Sequence, residues 1–162
     1  MTQRVKPEPV AAGLRSFLES EVAHYQSLAA ARDVKIAVLA EGATVKLDPG
    51  IVGRILDNLL ANATRHTPEG GEVTVRGERG PTVLTITVED TGDGVAADLK
   101  DRLFEPFVTG RAEGTGLGLA IAREFADAHG GRLELQRAGG DAAGEGALFA
   151  LVLPLEGTCR SF

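Results

Sequence analysis

Hydrophobic and polar residues alternate along several short segments of the chain, and this alternation predicts β-strands. The two clearest segments, EVTVRGE and TVLTITVED, are joined by a short turn that contains Gly80 and Pro81. The two prolines of residues 4–10 indicate extended or edge-strand structure. Strands are predicted over residues 34–39, 44–47, 72–78, 82–90, 132–138 and 147–155.

Apolar residues recur at intervals of three and four in other segments, which predicts helices. One amphipathic helix is predicted over residues 13–31. A second begins after Asp48 and Pro49, because this pair supplies an N-cap and a first-turn proline, and it extends to about Thr64. A third helix is predicted over residues 116–129, and a short one over 97–103.

The order of these helices and hairpins predicts the α+β class. We expect a two-layer α/β sandwich, in which a mixed, mostly antiparallel sheet packs on about three helices. A length of 162 residues suits a single domain over residues 1–162. Apolar residues make up 43% of the chain, but aromatic residues only 4% and Trp is absent, so the core must consist of Leu, Val, Ile and Ala.

Charge and cysteine content exclude several kinds of function. The net charge of −6 argues against binding of nucleic acid by a broad face, although a small anionic ligand needs only a local pocket. The single cysteine, Cys159, rules out an internal disulfide and a Cys-rich zinc site. No apolar run has the length of a membrane span and the N-terminus is unlike a signal peptide, so we expect a soluble, cytoplasmic chain without membrane contact.

The second predicted helix carries a polar strip beside its apolar stripe. Asn58, Asn62 and Arg65 lie on one face, because they are separated by four and three residues. Asparagine is a poor helix former, and two at this spacing beside an arginine would suit a polar ligand. A solvated helix face explains the same residues, and on this helix alone it is the simpler interpretation.

The first of two glycine-rich loops, DTGDG at residues 90–94, follows a predicted strand. Gly92 and Gly94 allow the backbone to approach a flat ligand or to adopt a positive φ. The Asp90 carboxylate can accept a hydrogen bond from the exocyclic amine of adenine, whereas guanine carries a carbonyl oxygen at that position. An ordinary Asp-Gly turn is the alternative.

The second glycine-rich loop, GTGLGL at residues 114–119, leads into the third predicted helix. Its glycines can present backbone N–H groups to phosphates, and the helix adds the positive end of its dipole. A Walker A loop is excluded because no Lys follows the glycines, and a dinucleotide fingerprint fits neither the spacing nor the preceding loop. By itself this loop is a weak signal.

Four motifs in this order resemble the ATP-binding catalytic domain of bacterial sensor histidine kinases, in the superfamily that includes gyrase, heat-shock protein 90 and mismatch-repair ATPases. NLLANATRHTP (58–68) is similar to the N box of the family, DTGDG (90–94) to its G1 box, LFEPF (103–107) to its F box and GTGLGLAIA (114–122) to its G2 box. The resemblance extends from about Asp48 to Pro154 and implies the Bergerat-type ATP-binding fold. The short lid, FEPFVTGRAEGTGLGL (104–119), resembles the nitrogen-regulation type of kinase more than the types with long lids.

The resemblance implies catalytic and metal-binding roles on the second helix. Asn62 would ligate Mg²⁺ through its side-chain carbonyl, with Asn58 in support, and neutral amides suffice because Mg²⁺ keeps waters and phosphate oxygens. Arg65 would contact phosphate, which makes Asn62 and Arg65 the implied catalytic residues. His66 would flank the nucleotide.

The same resemblance implies the remaining contacts of an ATP molecule. Asp90 would bind the adenine amine, with Gly92 and Gly94 against the base. Phe104 and Phe107 would anchor the lid, although packing alone explains phenylalanines there nearly as well, and Arg111 is a weaker phosphate candidate. The implied nucleotide contacts in the lid are Phe107, Gly114, Thr115, Gly116, Leu117 and Gly118.

No histidine of this chain resembles the phosphoacceptor of the family, which is usually followed by Glu or Asp. His24, His66 and His129 are followed by Tyr, Thr and Gly. The resemblance therefore implies a catalytic half that passes the γ-phosphoryl group of ATP to a histidine on a separate dimerisation domain, with a response regulator downstream. We expect a monomer with little autophosphorylation in isolation, located in the cytoplasm or in the cytoplasmic part of a membrane-bound sensor.

Three other interpretations stay open at this point. An anti-sigma serine kinase of the same superfamily would phosphorylate a serine of a partner protein. An ATP-hydrolysing clamp needs further domains and a longer lid, for which 162 residues leave no room. A degenerate nucleotide-binding or partner-docking module would lack catalysis, although all the matched polar residues are present.

Overall fold

The computed structural model describes residues 6–95, 102–105, 118–139 and 146–155. The helices of this part are α1 (Leu14–Ala31), α2 (Pro49–His66) and α3 (Gly118–Ala128). None of them is both long and apolar enough to cross a bilayer. The strands are β1 (Val10–Gly13), β2 (Lys35–Ala40), β3 (Thr44–Leu47), β4 (Glu72–Arg79), β5 (Val83–Asp90), β6 (Arg132–Arg137) and β7 (Leu148–Pro154). Most of the short helix predicted over 97–103 lies outside the described residues.

Five strands form one sheet in the order β2-β4-β5-β7-β6. The β2–β4 pair is parallel, and the other three pairs are antiparallel. This confirms the predicted mixed, mostly antiparallel sheet on three helices. The strands β1 and β3 pair with each other in a separate two-stranded sheet, which the alternation pattern did not predict.

The core lies between the helices and one face of the five-stranded sheet. Along β5, Leu84, Ile86 and Val88 are buried while the residues between them are half-buried, as period-two alternation requires. The largest fully buried side chains are Leu, Ile and Val, which confirms the predicted aliphatic core. Each such side chain stabilises the fold by about 1.5–3 kcal/mol relative to exposure.

Asp48 starts α2 as the sequence predicts. Its Oδ1 accepts hydrogen bonds from the backbone N–H groups of Gly50 (2.9 Å) and Ile51 (3.1 Å), which have no partner within the helix. Pro49 occupies the first turn, where a missing N–H has no consequence. The helix continues to His66, two residues beyond the predicted end.

His129 joins the end of α3 to the start of α2. Its Nε2 accepts a hydrogen bond from the backbone N–H of Asp48 at 3.0 Å, so the imidazole is neutral in this arrangement. Burial lowers the pKa of His129, which is 8% exposed, below its ordinary value. The residue therefore acts as a buried acceptor, although a charged histidine at the C-terminus of a helix is favoured by the helix dipole.

Candidate functional site

The predicted polar strip of α2 lies beside the buried stripe of the helix. Asn58, Asn62 and Arg65 are half-buried. The neighbouring residues of the stripe, Leu59, Leu60 and Ala63, are buried. Asn58 Nδ2 donates a hydrogen bond to the backbone carbonyl of Arg54 at 3.0 Å. This bond orients the amide, and its carbonyl oxygen Oδ1 lies close to Gly118.

The start of α3 meets this polar strip. A Cβ atom placed on Gly118 would lie 3.2 Å from Asn58 Oδ1, so a glycine allows the close approach of the two helices there. The structure thus brings together Asn58 and Gly118, two of the predicted site residues. The amino end of a helix carries unpaired N–H groups and partial positive charge, which favours an anion.

Two further groups of α2 are available to a ligand. Within the described residues, the side chain of Asn62 has no hydrogen-bond partner, and the buried Nε of Arg65 has none either. The backbone carbonyl of Arg65 accepts from the guanidinium of Arg32 at 3.1 Å, which anchors this end of the helix. A buried donor without a partner is unfavourable, so an anion at Arg65 would be stabilised.

The amides of this strip fit a hard cation. Carbonyl oxygens are ligands that Mg²⁺ prefers, and both Asn62 and Asn58 can offer one. No group of three or more His, Cys, Asp or Glu side chains in the described ranges could hold a metal ion. A metal in this site could use these amides together with oxygens of its own ligand.

Asp90 is the last residue of β5, and only one oxygen of its carboxylate accepts hydrogen bonds from the described residues. Its Oδ1 accepts hydrogen bonds from the backbone N–H groups of Gly92 (2.9 Å) and Ala147 (3.2 Å). The residue is 4% exposed, and Oδ2 accepts no hydrogen bond from the described residues. Burial raises the pKa of the Asp90 carboxyl, an effect that the two N–H donors and Arg137 oppose. This oxygen, Oδ2, is called the open oxygen below, and it can accept a hydrogen bond from a ligand.

The loop after Asp90 packs against the end of α2. A Cβ atom on Gly92 would collide with the backbone carbonyl oxygen of His66, so glycine is required by this contact. Gly94 has a φ of +80°, a conformation that glycine adopts without strain. His66 is half-buried and adjoins the loop.

Residues at the start of β7 complete the surroundings of Asp90, and the sequence analysis missed them. A Cβ atom on Gly146 would collide with Asp90 Oδ1. The backbone N–H of Gly146 donates to the Asp90 carbonyl at 3.1 Å, and Asp90 N–H donates to the Ala147 carbonyl at the same distance. In the sequence, residues 139–146 lie between two predicted strands and carry no motif. The glycine directly before a strong strand was the one available signal.

Phe104 packs as an anchor. Its ring lies edge-on to Phe149, with centroids 6.2 Å apart, and the Arg123 guanidinium lies 5.0 Å from its centroid. These contacts fit the packing interpretation of the F box. The other lid candidates, namely Phe107, Arg111, Gly114, Thr115, Gly116 and Leu117, lie outside the described residues.

The family model for the histidine kinase-, DNA gyrase B- and HSP90-like ATPases matches residues 47–157. The alginate biosynthesis sensor protein KinB of Pseudomonas aeruginosa is 40% identical over 113 residues, which cover 68% of this chain and 18% of KinB. The sensory histidine kinase/phosphatase NtrB of Salmonella typhimurium is 44% identical over 98 residues, which cover 54% of this chain and 28% of NtrB. The chain thus spans less than a third of the length of these relatives.

Solved structures of sensor kinases share the fold. The mycobacterial sensor histidine kinase MprB superimposes with a TM-score of 0.79 at 26% identity, over 90% of this chain and 98% of that one. ShkA, solved at full length in complex with AMPPNP, gives a TM-score of 0.83 at 28% identity, over 95% of this chain and 32% of that one. The chain therefore belongs to the histidine kinase-, DNA gyrase B- and HSP90-like ATPase family, as a catalytic ATPase domain of the sensor histidine kinase type.

Proposed function

We propose that this domain binds ATP with Mg²⁺ between α2, α3 and the end of β5, and that it delivers the γ-phosphoryl group to a histidine on a separate dimerisation domain. The observation that supports this most strongly is the hydrogen bonding of the Asp90 carboxylate. Two backbone N–H groups hold one oxygen, and the other is left for a donor. A response regulator would receive the phosphoryl group afterwards.

The adenine base is recognised by Asp90 in this proposal. The 6-amino group of adenine donates to the open carboxylate oxygen, with Gly92 and Gly94 close to the base. Guanine has a carbonyl oxygen at that position, which an ionised carboxylate repels. A site that hydrogen-bonds a substrate N–H discriminates strongly against an analogue that lacks it, because its own polar group is then left unpaired.

The phosphates lie toward the polar strip of α2. Arg65 neutralises phosphate charge, and the amino end of α3 supplies backbone N–H donors beyond Gly118. Asn62 holds Mg²⁺ through its side-chain oxygen, with Asn58 in support. When bound, Mg²⁺ would supply positive charge at the phosphate oxygens. The domain's own contribution is positioning, because phosphoryl transfer needs little covalent chemistry from the protein.

The acceptor histidine lies on another domain in this proposal. His24 is exposed but is followed by Tyr, His66 adjoins the nucleotide site, and His129 is buried as a hydrogen-bond acceptor. ThkA, whose catalytic domain superimposes with a TM-score of 0.79 at 25% identity, has been solved in complex with the response regulator protein TrrA. A partner of the same class suits this chain, which in isolation would be monomeric.

Calorimetric titration of the wild type and of Asn62→Ala tests the nucleotide site. ATP should bind and GTP should not, and Asn62→Ala should weaken ATP binding about tenfold with Mg²⁺ present but little without it. Gly42→Ala is a suitable control, because a Cβ atom there would have no atom within 4 Å. No ATP binding at millimolar concentration would contradict the proposal and favour a docking module.

A second experiment tests the phosphoryl transfer. The domain should form little phosphohistidine alone with labelled ATP, and much more after a dimerisation domain with its acceptor histidine is added. Strong phosphohistidine on the isolated domain would contradict the proposal. Acid-stable phosphoserine on a partner protein would instead indicate a serine kinase.

A further inference from the structure

Arg137 lies at the end of β6, beside a register shift between Leu135 and Arg137 in the pairing with β7. Such irregularities redirect side chains and occur near functional sites. The guanidinium donates to Glu89 Oε2 at 2.6 Å, and its Nε donates to the backbone carbonyl of Gly146 at 3.2 Å. One side chain of β6 therefore connects the end of β5 with Gly146, which lies two residues before β7.

Both partners of Arg137 adjoin Asp90. Glu89 precedes Asp90 in β5, and Gly146 contacts the Asp90 side chain so closely that a Cβ atom would collide with it. The next residue, Ala147, donates its N–H to Asp90 Oδ1 at 3.2 Å. A shift of the Gly146 carbonyl would therefore move an N–H group that holds the carboxylate.

We propose that Arg137 is a positioning residue for Asp90 and thereby sets the preference of the site for bases with a 6-amino group. It touches no ligand itself. Its two hydrogen bonds hold the start of β7 against the end of β5, which keeps the open oxygen of Asp90 directed at the base. This inference rests on the proposed function, in which Asp90 binds adenine.

A second ion pair on the same strand provides a contrast. Arg132 lies 3.6 Å from Glu134, and the two side chains are 66% and 43% exposed. The side chains of Arg137 and Glu89 are only 32% and 29% exposed, and Arg137 makes the further bond to Gly146. Exposed ion pairs contribute little to stability, so Arg132→Met is a matched control that removes an arginine from β6 without affecting Asp90.

The test measures, by calorimetry, the affinities for ATP and for purine riboside 5′-triphosphate, which lacks only the 6-amino group. Arg137→Met should weaken ATP binding by about fivefold while changing the affinity for the analogue by less than about twofold. Arg137→Lys should restore part of the preference, because lysine keeps the charge but cannot form both bonds in the same geometry. Arg132→Met should change neither affinity.

Glu89→Gln keeps the inference testable if Arg137→Met folds poorly. It replaces the charged acceptor of Arg137 by a neutral amide, which weakens this hydrogen bond, and should reduce the preference for ATP by about twofold. Equal losses for both nucleotides in the Arg137 variants, or an unchanged preference for ATP, would overturn the positioning role. Asp90→Asn separates this failure from failure of the proposed function: if that variant keeps the wild-type preference, Asp90 does not bind the amine and both proposals fall.

Discussion

Asp48 and Asp90 are two aspartates whose Oδ1 atoms each accept two backbone N–H groups, yet their environments differ. At Asp48 the second oxygen, Oδ2, also accepts a hydrogen bond, from the backbone N–H of Glu8 at 2.8 Å. At Asp90 the second oxygen has no hydrogen-bond partner within the described part of the chain. Both oxygens of the Asp48 carboxylate are hydrogen-bonded within the fold. At Asp90 the fold holds one oxygen, and in the proposed function the other binds the nucleotide.

The pKa shifts of the two carboxyls follow this difference. Burial alone would raise the pKa of Asp48, but the N–H groups of Glu8, Ile51 and Gly50 hold it below its ordinary value. Burial raises the pKa of Asp90, and there two N–H donors and Arg137 do not outweigh it. Glycines lie close to both aspartates in the sequence, so the glycines do not distinguish a ligand site. A buried carboxylate with one oxygen free of hydrogen bonds does.

Replacing the glycine that touches each aspartate should give the largest contrast. Gly146→Ala should lower the free energy of unfolding by about 2–3 kcal/mol, because its Cβ atom would collide with Asp90. Gly50→Ala places its Cβ 3.3 Å from Asp48 Oδ1 on a helix, where alanine is favoured, and should change stability by less than about 1 kcal/mol. Denaturant unfolding of both variants measures this, and equal changes would remove the contrast.

Replacing each aspartate by asparagine should separate ligand binding from capping. In Asp90→Asn the Oδ1 can still accept from Gly92 and Ala147, but an NH₂ group would face the adenine amine, so ATP affinity should fall by about 10- to 100-fold. Asp48→Asn keeps a good N-cap and should leave ATP affinity unchanged. Calorimetry decides between these outcomes, and ATP binding by Asp90→Asn at wild-type affinity would show that the open oxygen has no role.

Removing the cap altogether should affect stability alone. Asp48→Ala leaves the N–H groups of Gly50 and Ile51 without their acceptor and should destabilise the domain by about 1–2 kcal/mol. ATP affinity of the folded variant should match that of the wild type. Thermal unfolding together with calorimetry tests this, and a large loss of affinity would mean that the start of α2 shapes the nucleotide site.

His129 should make the Asp48 region sensitive to pH. Its folded-state pKa lies below the ordinary value of 6.5, so the unfolded chain takes up the proton first, and stability should be lost as the pH falls below 6.5. Protonation of His129 removes its hydrogen bond with the Asp48 N–H, which should lower the free energy of unfolding by about 1 kcal/mol. His129→Gln should abolish this part of the pH dependence. The exposed His24→Gln is the control, and identical pH profiles for all three proteins would contradict the assignment.

The sequence predicted local structure well, because its signals are local. Asp48 and Pro49 predicted the start of α2 correctly. The spacing of Asn58, Asn62 and Arg65 predicted that they lie on one face. Asp90 was found because a carboxylate between a strand and glycines is visible in the sequence. These features depend on residues within two turns of a helix or within one loop.

Contacts between distant segments could not be predicted from the pattern. The pairing of β1 with β3, and the parallel pairing of β2 with β4, depend on how the elements pack. His129 and Asp48 are separated by 81 positions, and Arg137 reaches Glu89 across 48. The resemblance to the kinase family supplied the function of the motifs, but it did not indicate Gly146 or Arg137. The nitrogen-regulation type of lid stays a prediction, since most of its residues lie outside the described ranges.

A crystal structure of the domain with ATP and Mg²⁺ would test the central claim most directly. The account predicts the adenine 6-amino nitrogen within about 3 Å of the open oxygen of Asp90, while Oδ1 still accepts from Gly92 and Ala147. It also predicts Mg²⁺ on the side-chain oxygen of Asn62. Adenine bound away from Asp90, or a nucleotide that makes no contact with the polar strip of α2, would contradict the account.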